Sequence, residues 1–277
     1  MEEKGLTKRP RLLVVDIDGT LINQAGVISD TDRQALASAR QAGVHVALST
    51  GRVTQACQKT LELLSLDGYH VFFDGALVAD VHGDIEVYVE PVLPELVKEM
   101  GEFAYQQEMR IELFSSTHLY VKQEDWGTEI RRKFFGLEPT VTDLSQVWLQ
   151  ERIIKGTLVM RSAEEKAQAR LFCRHFEGRL NFTWTKTPVY PDVDLVNIIS
   201  LKVSKGKALE ELAAFLGIPL SQVVAIGDGT NDISLLTAAG LGIAVANAPD
   251  ELKAVADHIV PDVEHSGVAT AVERYVL

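Results

Sequence analysis

The chain has 277 residues, enough to bury a large core and to hold one large or two ordinary domains. Its 46% hydrophobic and 24% charged residues match a soluble globular protein, so the fibrous, disordered and membrane-spanning classes drop out. A formal charge of −12 without an offsetting basic patch argues against nucleic acid or an anionic membrane as partner. An anionic small molecule stays open, because a metal and a few lysines can reverse the local field.

The first eleven residues are polar and lack an apolar signal core, and no run reaches membrane-spanning length, so a cytoplasmic protein is expected. The two cysteines, Cys57 and Cys173, are far apart and lack metal-type spacing, which reads as free thiols in a reducing compartment. Leu12 to Val15 form an uninterrupted apolar run that meets Asp16-Ile17-Asp18-Gly19-Thr20. Such a run fits a strand buried on both faces of a parallel sheet. Two carboxylates spaced i, i+2 at its end share one side. A solvated Asp-Gly turn and a calcium loop are the competing readings of this stretch alone.

Ser29 with Asp32 three residues later opens a helical stretch that closes at Gly43. Residues 44–48 form a second apolar strand, followed by Ser49-Thr50-Gly51-Arg52 and a helix to about Leu64. That turn could place amides and a hydroxyl around an anion, or simply cap the helix. A third strand over 71–73 stops at Asp74-Gly75-Ala76. The texture then changes over 83–193: helices over 94–107, 126–135 and 163–176, a hairpin over 111–113 and 119–121, and strands over 153–160 and 180–184. From Asp194 the first rhythm resumes, with a helix from Lys205 and a fourth buried strand, 223–226, ending at Gly227-Asp228-Gly229-Thr230-Asn231-Asp232. The expected domains are a core of 1–82 with 194–277 and an insert of 83–193.

Four strands therefore end in Asp16/Asp18, Thr50, Asp74 and Asp228, which parallel pairing gathers on one edge. Several carboxylates with one lysine, Lys205, call for a hard divalent cation, and oxygen donors suit Mg²⁺. A cation, a lysine and a helix start are what a phosphoryl group requires.

In this order, Asp16-Ile-Asp-Gly-Thr-Leu, Thr50-Gly-Arg, Lys205-Gly and Gly227-Asp-Gly-Thr-Asn-Asp232 resemble the motifs of the haloacid dehalogenase-like hydrolases. The insert between the second and third motifs resembles that of the Cof-type subgroup, and the likeness covers 11–22, 43–78 and 194–277. It implies an α/β fold, a Rossmann-like doubly wound parallel sheet with an inserted α+β cap that chooses the substrate. It further implies Asp16 as nucleophile, forming an aspartyl-phosphate, and Asp18 as general acid and then base. Asp16, the Asp18 carbonyl and Asp228 would hold Mg²⁺, with Asp232 beside them. Gly19, Thr50, Gly51, Lys205 and Asn231 would bind phosphate, with a helix N-cap as the competing role of Asn231. The implied activity is Mg²⁺-dependent hydrolysis of a small phosphorylated metabolite, such as a sugar phosphate, by a monomer or homodimer.

Asp74 departs from the subgroup, which shows Asn there, and either lies near the crevice or turns away. Arg52 reaches substrate or forms a surface ion pair. His118 and His265 lack ligand spacing and read as structural or solvent-facing. Trp126, Trp148, Trp184 and Tyr190 read mostly as core, with one of them a candidate pocket residue. A phosphomutase of the same fold, or a non-catalytic phosphate or metal-binding module, are the alternatives. The second acid at Asp18 speaks against a pure binding module, which needs none there.

Overall fold

The computed structural model describes residues 8–81, 85–187 and 190–277. The sequence-predicted N-terminal stretch before residue 8, and the expected domain edge at 82–84, lie outside the described residues. The chain divides into two compact units: one holds the residues up to Arg52 with Cys57–Tyr88 and Ser204–Leu277, the other Val53–Ala56 with Val89–Val203.

The first unit opens with β1 (Leu12–Asp16), α1 (Asp30–Gln41), β2 (His45–Ser49), α2 (Thr54–Leu64), β3 (Tyr69–Phe72), β4 (Leu77–Asp80) and β5 (Glu86–Val89). Helix α1 begins as its sequence demands: Ser29 accepts the Asp32 amide, and acidic residues occupy the first turn, where the helix dipole favours them. Gly43 follows at φ +85°, a left-handed position that glycine takes without steric cost.

The second unit carries α3 (Pro94–Gln106), β6 (Ile111–Phe114), β7 (Leu119–Val121), α4 (Trp126–Phe135), β8 (Pro139–Val141), β9 (Lys155–Met160), α5 (Ala163–His175), β10 (Leu180–Thr187) and β11 (Tyr190–Ser200). Its strands form one sheet in the order β10-β11-β9-β6-β7-β8. One face of that sheet, with Leu113, Leu158 and Val196, packs in a single buried cluster with Val97 and Met100 of α3, Phe172 of α5 and Phe176 just after it. Of the aromatic residues, Trp148 packs against this cluster, Trp126 joins a smaller one around Ile130, and Trp184 is 44% exposed. The side chain of Tyr190 lies outside the described set.

The chain then returns through α6 (Lys205–Phe215), β12 (Val223–Gly227), α7 (Ile233–Ala238), β13 (Leu241–Val245), α8 (Asp250–Lys253), β14 (His258–Val260) and α9 (Gly267–Tyr275). The first unit's sheet runs β14-β13-β12-β1-β2-β3-β4-β5. Strands β14 through β3 are parallel, and β4 reverses direction against β3. Leu12 and Val14 share a buried cluster with Leu209, Leu212 and Leu235 from α6 and α7, while Leu13 and Val15 are buried on the opposite face. A doubly covered sheet explains why β1 reads as a solid apolar run instead of alternating.

Two differences from the sequence reading stand out. The rhythm does not resume at Asp194: β11 pairs with β9 and β10 through Ile198 and beyond, so the second sheet extends to Ser200. A largely apolar stretch such as 195–199, broken only by Asn197, suits either sheet, and only pairing assigns it. The extension of the sheet by β4, antiparallel to β3, and by β5 beyond it was not expected at all.

Candidate active site

Four neighbouring parallel strands deliver the site. In the order β12, β1, β2, β3, their carboxyl ends lead to Asp228, Asp16, Thr50 and Asp74, where ligands gather in open α/β sheets. Thr50 is fixed by its amide on the Val71 carbonyl (2.9 Å) and accepts the Arg52 amide on Oγ1 (3.1 Å), leaving the hydroxyl proton to donate. Asp74 is fixed by its amide on the Thr50 carbonyl (2.9 Å).

Lys205, the first residue of α6, is 1% exposed. Its Nζ donates to Asp16 Oδ1 (2.5 Å) and Asp232 Oδ1 (2.6 Å). An ammonium has three donors, so one remains for a ligand. Burial works against the Lys205 charge, but Asp16, Asp232 and then Asp74 overturn that and hold its pKa above the ordinary value. Burial first, and Asp232 second, push the Asp16 carboxyl well above the usual range despite Lys205. Burial and the Asp232 charge raise Asp228 as well. The crevice thus holds more negative charge than its lysine neutralises.

The chemistry of this donor set fits a hard cation. Among the described residues, Asp16, Asp228 and Asp232 each bring a carboxylate oxygen within 4.8 Å of the other two. They do not contribute equally. Asp232 Oδ1 is bonded to Lys205, and its Oδ2 accepts the amides of Asp228 (3.1 Å) and Gly229 (3.0 Å), so it ties the loop down. Asp16 and Asp228 keep oxygens for a ligand, and lie within 4.8 Å of each other.

Asp18 points elsewhere. Its side chain is 58% exposed and receives one edge of the Arg52 guanidinium, Nε donating to Oδ2 at 2.9 Å and a terminal nitrogen to Oδ1. Arg52 therefore holds a site carboxylate. Asn231 is not a helix N-cap: its Nδ2 donates to Asp74 Oδ1 (3.1 Å). The reading of Asp74 as a turn residue facing away fails with that bond. Gly19 also differs from its expected role as a phosphate donor, since its amide is bonded to the Ile22 carbonyl (2.9 Å). What it offers is space: at φ +92°, a Cβ here would lie 2.2 Å from Asp228 Oδ2. His265 pairs with Asp262 (2.6 Å) and His118 with Thr117 (2.8 Å), both as local structure. Cys57 is buried and Cys173 half-buried, both free.

Two residues were missed. Thr20 Oγ1 donates to Asp228 Oδ1 (3.1 Å). Asn247 Nδ2 donates to the Gly19 carbonyl (2.8 Å) and lies 3.4 Å from Asp228 Oδ2. A signal for Asn247 was present: it follows the apolar strand β13 just as Asp228 follows its neighbour β12.

The family model for haloacid dehalogenase-like hydrolases matches residues 13–272. The phosphatase YwpJ of Bacillus subtilis is 28% identical over 280 residues, covering 94% of this chain and 97% of its own. The 5-amino-6-(5-phospho-D-ribitylamino)uracil phosphatase YcsE of the same organism is 28% identical, with 96% of each chain covered. Among solved structures, a haloacid dehalogenase-like hydrolase from Bacteroides thetaiotaomicron superposes with a TM-score of 0.81 at 23% identity, covering 96% of this chain and 99% of that one. With its motifs on one edge of a parallel sheet and a family model spanning nearly its whole length, the chain belongs to the haloacid dehalogenase-like hydrolases, among the phosphatases.

Proposed function

We propose that the protein hydrolyses a small phosphorylated metabolite, such as a sugar phosphate, through an aspartyl-phosphate on Asp16, with Mg²⁺ as cofactor. The observation that carries this is the burial of Asp16, Asp232 and Lys205 together at the ends of adjacent strands, with Asp228 beside them. A single-charge pairing would need one carboxylate; the surplus suits a cation and a phosphoryl group together.

On this reading an Asp16 oxygen attacks phosphorus and the bond to the leaving alcohol breaks, with Asp18 giving that alcohol its proton. Water then attacks phosphorus, Asp18 takes the water's proton, and the bond to Asp16 breaks to release inorganic phosphate. Lys205 holds Asp16 in place and offers its third donor to the phosphoryl oxygens. Thr50, Gly51 and Asn231 complete the phosphate cradle, and Asp18 must leave its pairing with Arg52 to reach the leaving oxygen. Asp16 and Asp228, with the Asp18 carbonyl, would hold Mg²⁺, which when bound supplies charge neutralisation at the phosphoryl group. Asp232 supports them as the anchor of the loop. The second unit supplies the selectivity among metabolites. The ribityl phosphate in the name of YcsE makes polyol phosphates the first class to try.

The test is phosphate release from p-nitrophenyl phosphate and a panel of sugar phosphates in Mg²⁺ buffer, with Asp16→Asn as the control. Turnover by the wild type and none by the variant is expected. A variant as active as the wild type would overturn the assignment.

A further inference from the structure

The turn after β3 is strained. Phe73 and Asp74 hold φ of 53° and 58°, and Gly75 follows at 100°. Left-handed backbone costs non-glycine residues free energy, so two in succession persist only where surrounding contacts fix them. Here those contacts are backbone bonds from Phe73 to the Arg52 carbonyl (3.0 Å) and from Asp74 to the Thr50 carbonyl (2.9 Å). Gly75 presses on the start of α6, where a Cβ would lie 2.4 Å from the Ser204 carbonyl oxygen.

This geometry turns the Asp74 carboxylate inward. A methyl group on Gly51 would sit 2.8 Å from both of its oxygens. Oδ1 accepts from Asn231 Nδ2 at 3.1 Å. The Asn231 oxygen in turn lies against Gly229, where a Cβ would come within 2.4 Å of it. A carboxylate can only accept, so Asp74 fixes the amide with its nitrogen inward. An acid therefore touches two members of the phosphate cradle, although the ligand expected there is itself anionic.

We propose that Asp74 is a specificity-determining residue of the phosphate cradle: its negative charge weakens the hold on phosphate dianions while its oxygen keeps the Asn231 amide oriented. The proposal rests on the reading of Thr50, Gly51, Lys205 and Asn231 as that cradle. Its consequence is a site that binds the phosphoryl group loosely and depends on the rest of the substrate for affinity. Inorganic phosphate has no such remainder and leaves readily, so the enzyme resists inhibition by its own product.

The experiment measures inorganic phosphate binding to the full-length protein by isothermal titration calorimetry in Mg²⁺ buffer, beside p-nitrophenyl phosphate kinetics. Asp74→Asn keeps the shape and an acceptor oxygen but removes the charge. Its phosphate Kd and its KM are expected to fall about tenfold, with no rise in kcat. The gain should be larger at pH 8, where phosphate is a dianion, than at pH 6, and should shrink as NaCl is raised. Asp74→Ala loses the charge and the Asn231 acceptor together, and should gain less than Asp74→Asn. A phosphate Kd for Asp74→Asn within twofold of the wild type, or one too weak to measure, overturns the proposal, as does a gain that ignores pH. If the wild type turns nothing over yet the binding gap is present, the phosphatase reading fails and the role of Asp74 stands.

Discussion

Replacing Lys205 by Met tests the electrostatic argument where it is most exposed to failure. The ammonium is 1% exposed and lies 2.5 Å and 2.6 Å from oxygens of Asp16 and Asp232. At an effective dielectric constant near 20, each attraction is worth roughly 6–7 kcal/mol before desolvation, which cancels most of it. Removing one partner of a buried pair costs about 3–5 kcal/mol, and here two carboxylates lose their partner, so the upper end applies. At roughly 2–4 °C per kcal/mol, the melting temperature should fall by roughly 10–20 °C at pH 7.5.

The loss should depend on pH, with a definite sign. The Lys205 pKa is raised in the fold, so its stabilisation is present below the unfolded value and would fade only above the working range. The Asp16 pKa is also raised, so the fold takes up its proton more readily than the unfolded chain does, and stability falls as pH rises past the usual carboxylate range. Without Lys205 that shift grows, and the penalty should be smaller at pH 5 than at pH 7.5. Scanning calorimetry at both values checks this. A variant melting within 2 °C of the wild type at pH 7.5, or an equal loss at both pH values, refutes the reasoning.

The proposed catalytic residues make separable predictions. Asp16→Asn should lower kcat by roughly 10⁴-fold or more and abolish any phosphoenzyme trapped by acid quench. Asp18→Asn should cost roughly 10²–10⁴-fold on alkyl phosphates yet still form phosphoenzyme from an aryl phosphate, whose leaving group needs no proton; trapped phosphate on Asp18 would reverse the two roles. Excess chelator should stop turnover, Mg²⁺ should restore it, and Ca²⁺ should bind but inhibit, because its looser coordination misplaces the reacting atoms; full activity in chelator would reject the cofactor. His70 is fully buried, accepts the Leu48 amide (3.0 Å), and burial lowers its pKa to about 4. Its neutral form is favoured in the fold, so about 3 kcal/mol of stability present above pH 6.5 should be lost as pH falls toward 4, and urea midpoints of His70→Gln should lack that component.

The parts of this fold legible in the sequence are those where one physical cause dominates. Strands β1, β2 and β12 are covered on both faces, so their runs are solidly apolar and stop abruptly at polar residues. Helix α1 carries its own start and stop in Ser29, Asp32 and Gly43. The same strand ends placed Asp16, Thr50, Asp74 and Asp228 on one edge before any geometry was known. What stayed hidden depends on direction instead of composition. The reversal into β4 follows from left-handed Phe73 and Asp74, conformations that neither residue type advertises. The inward turn of Asp74 comes from that backbone, and the outward turn of Asp18 from its ion pair with Arg52. The allegiance of β11 is a matter of pairing between segments far apart in the chain.

The three clustered carboxylates look interchangeable in sequence, but hydrogen bonding divides them. Two backbone amides and Lys205 serve Asp232, which satisfies both its oxygens and pins the turn between β12 and α7. Amides stabilise a negative charge without neutralising it, so Asp232 goes on raising the pKa of Asp16 and Asp228 beside it. That leaves Asp16 and Asp228, pressed together with one ammonium between the whole set, to take up positive charge from outside. A proton can supply one unit of it and a divalent cation two. On the proposed reading, protons and Mg²⁺ therefore compete for the same oxygens, and binding the cation must release protons. The acid limit of the site then follows from that competition, and it lies above the ordinary carboxylate range because burial first, and the neighbouring Asp232 second, raise both carboxyls.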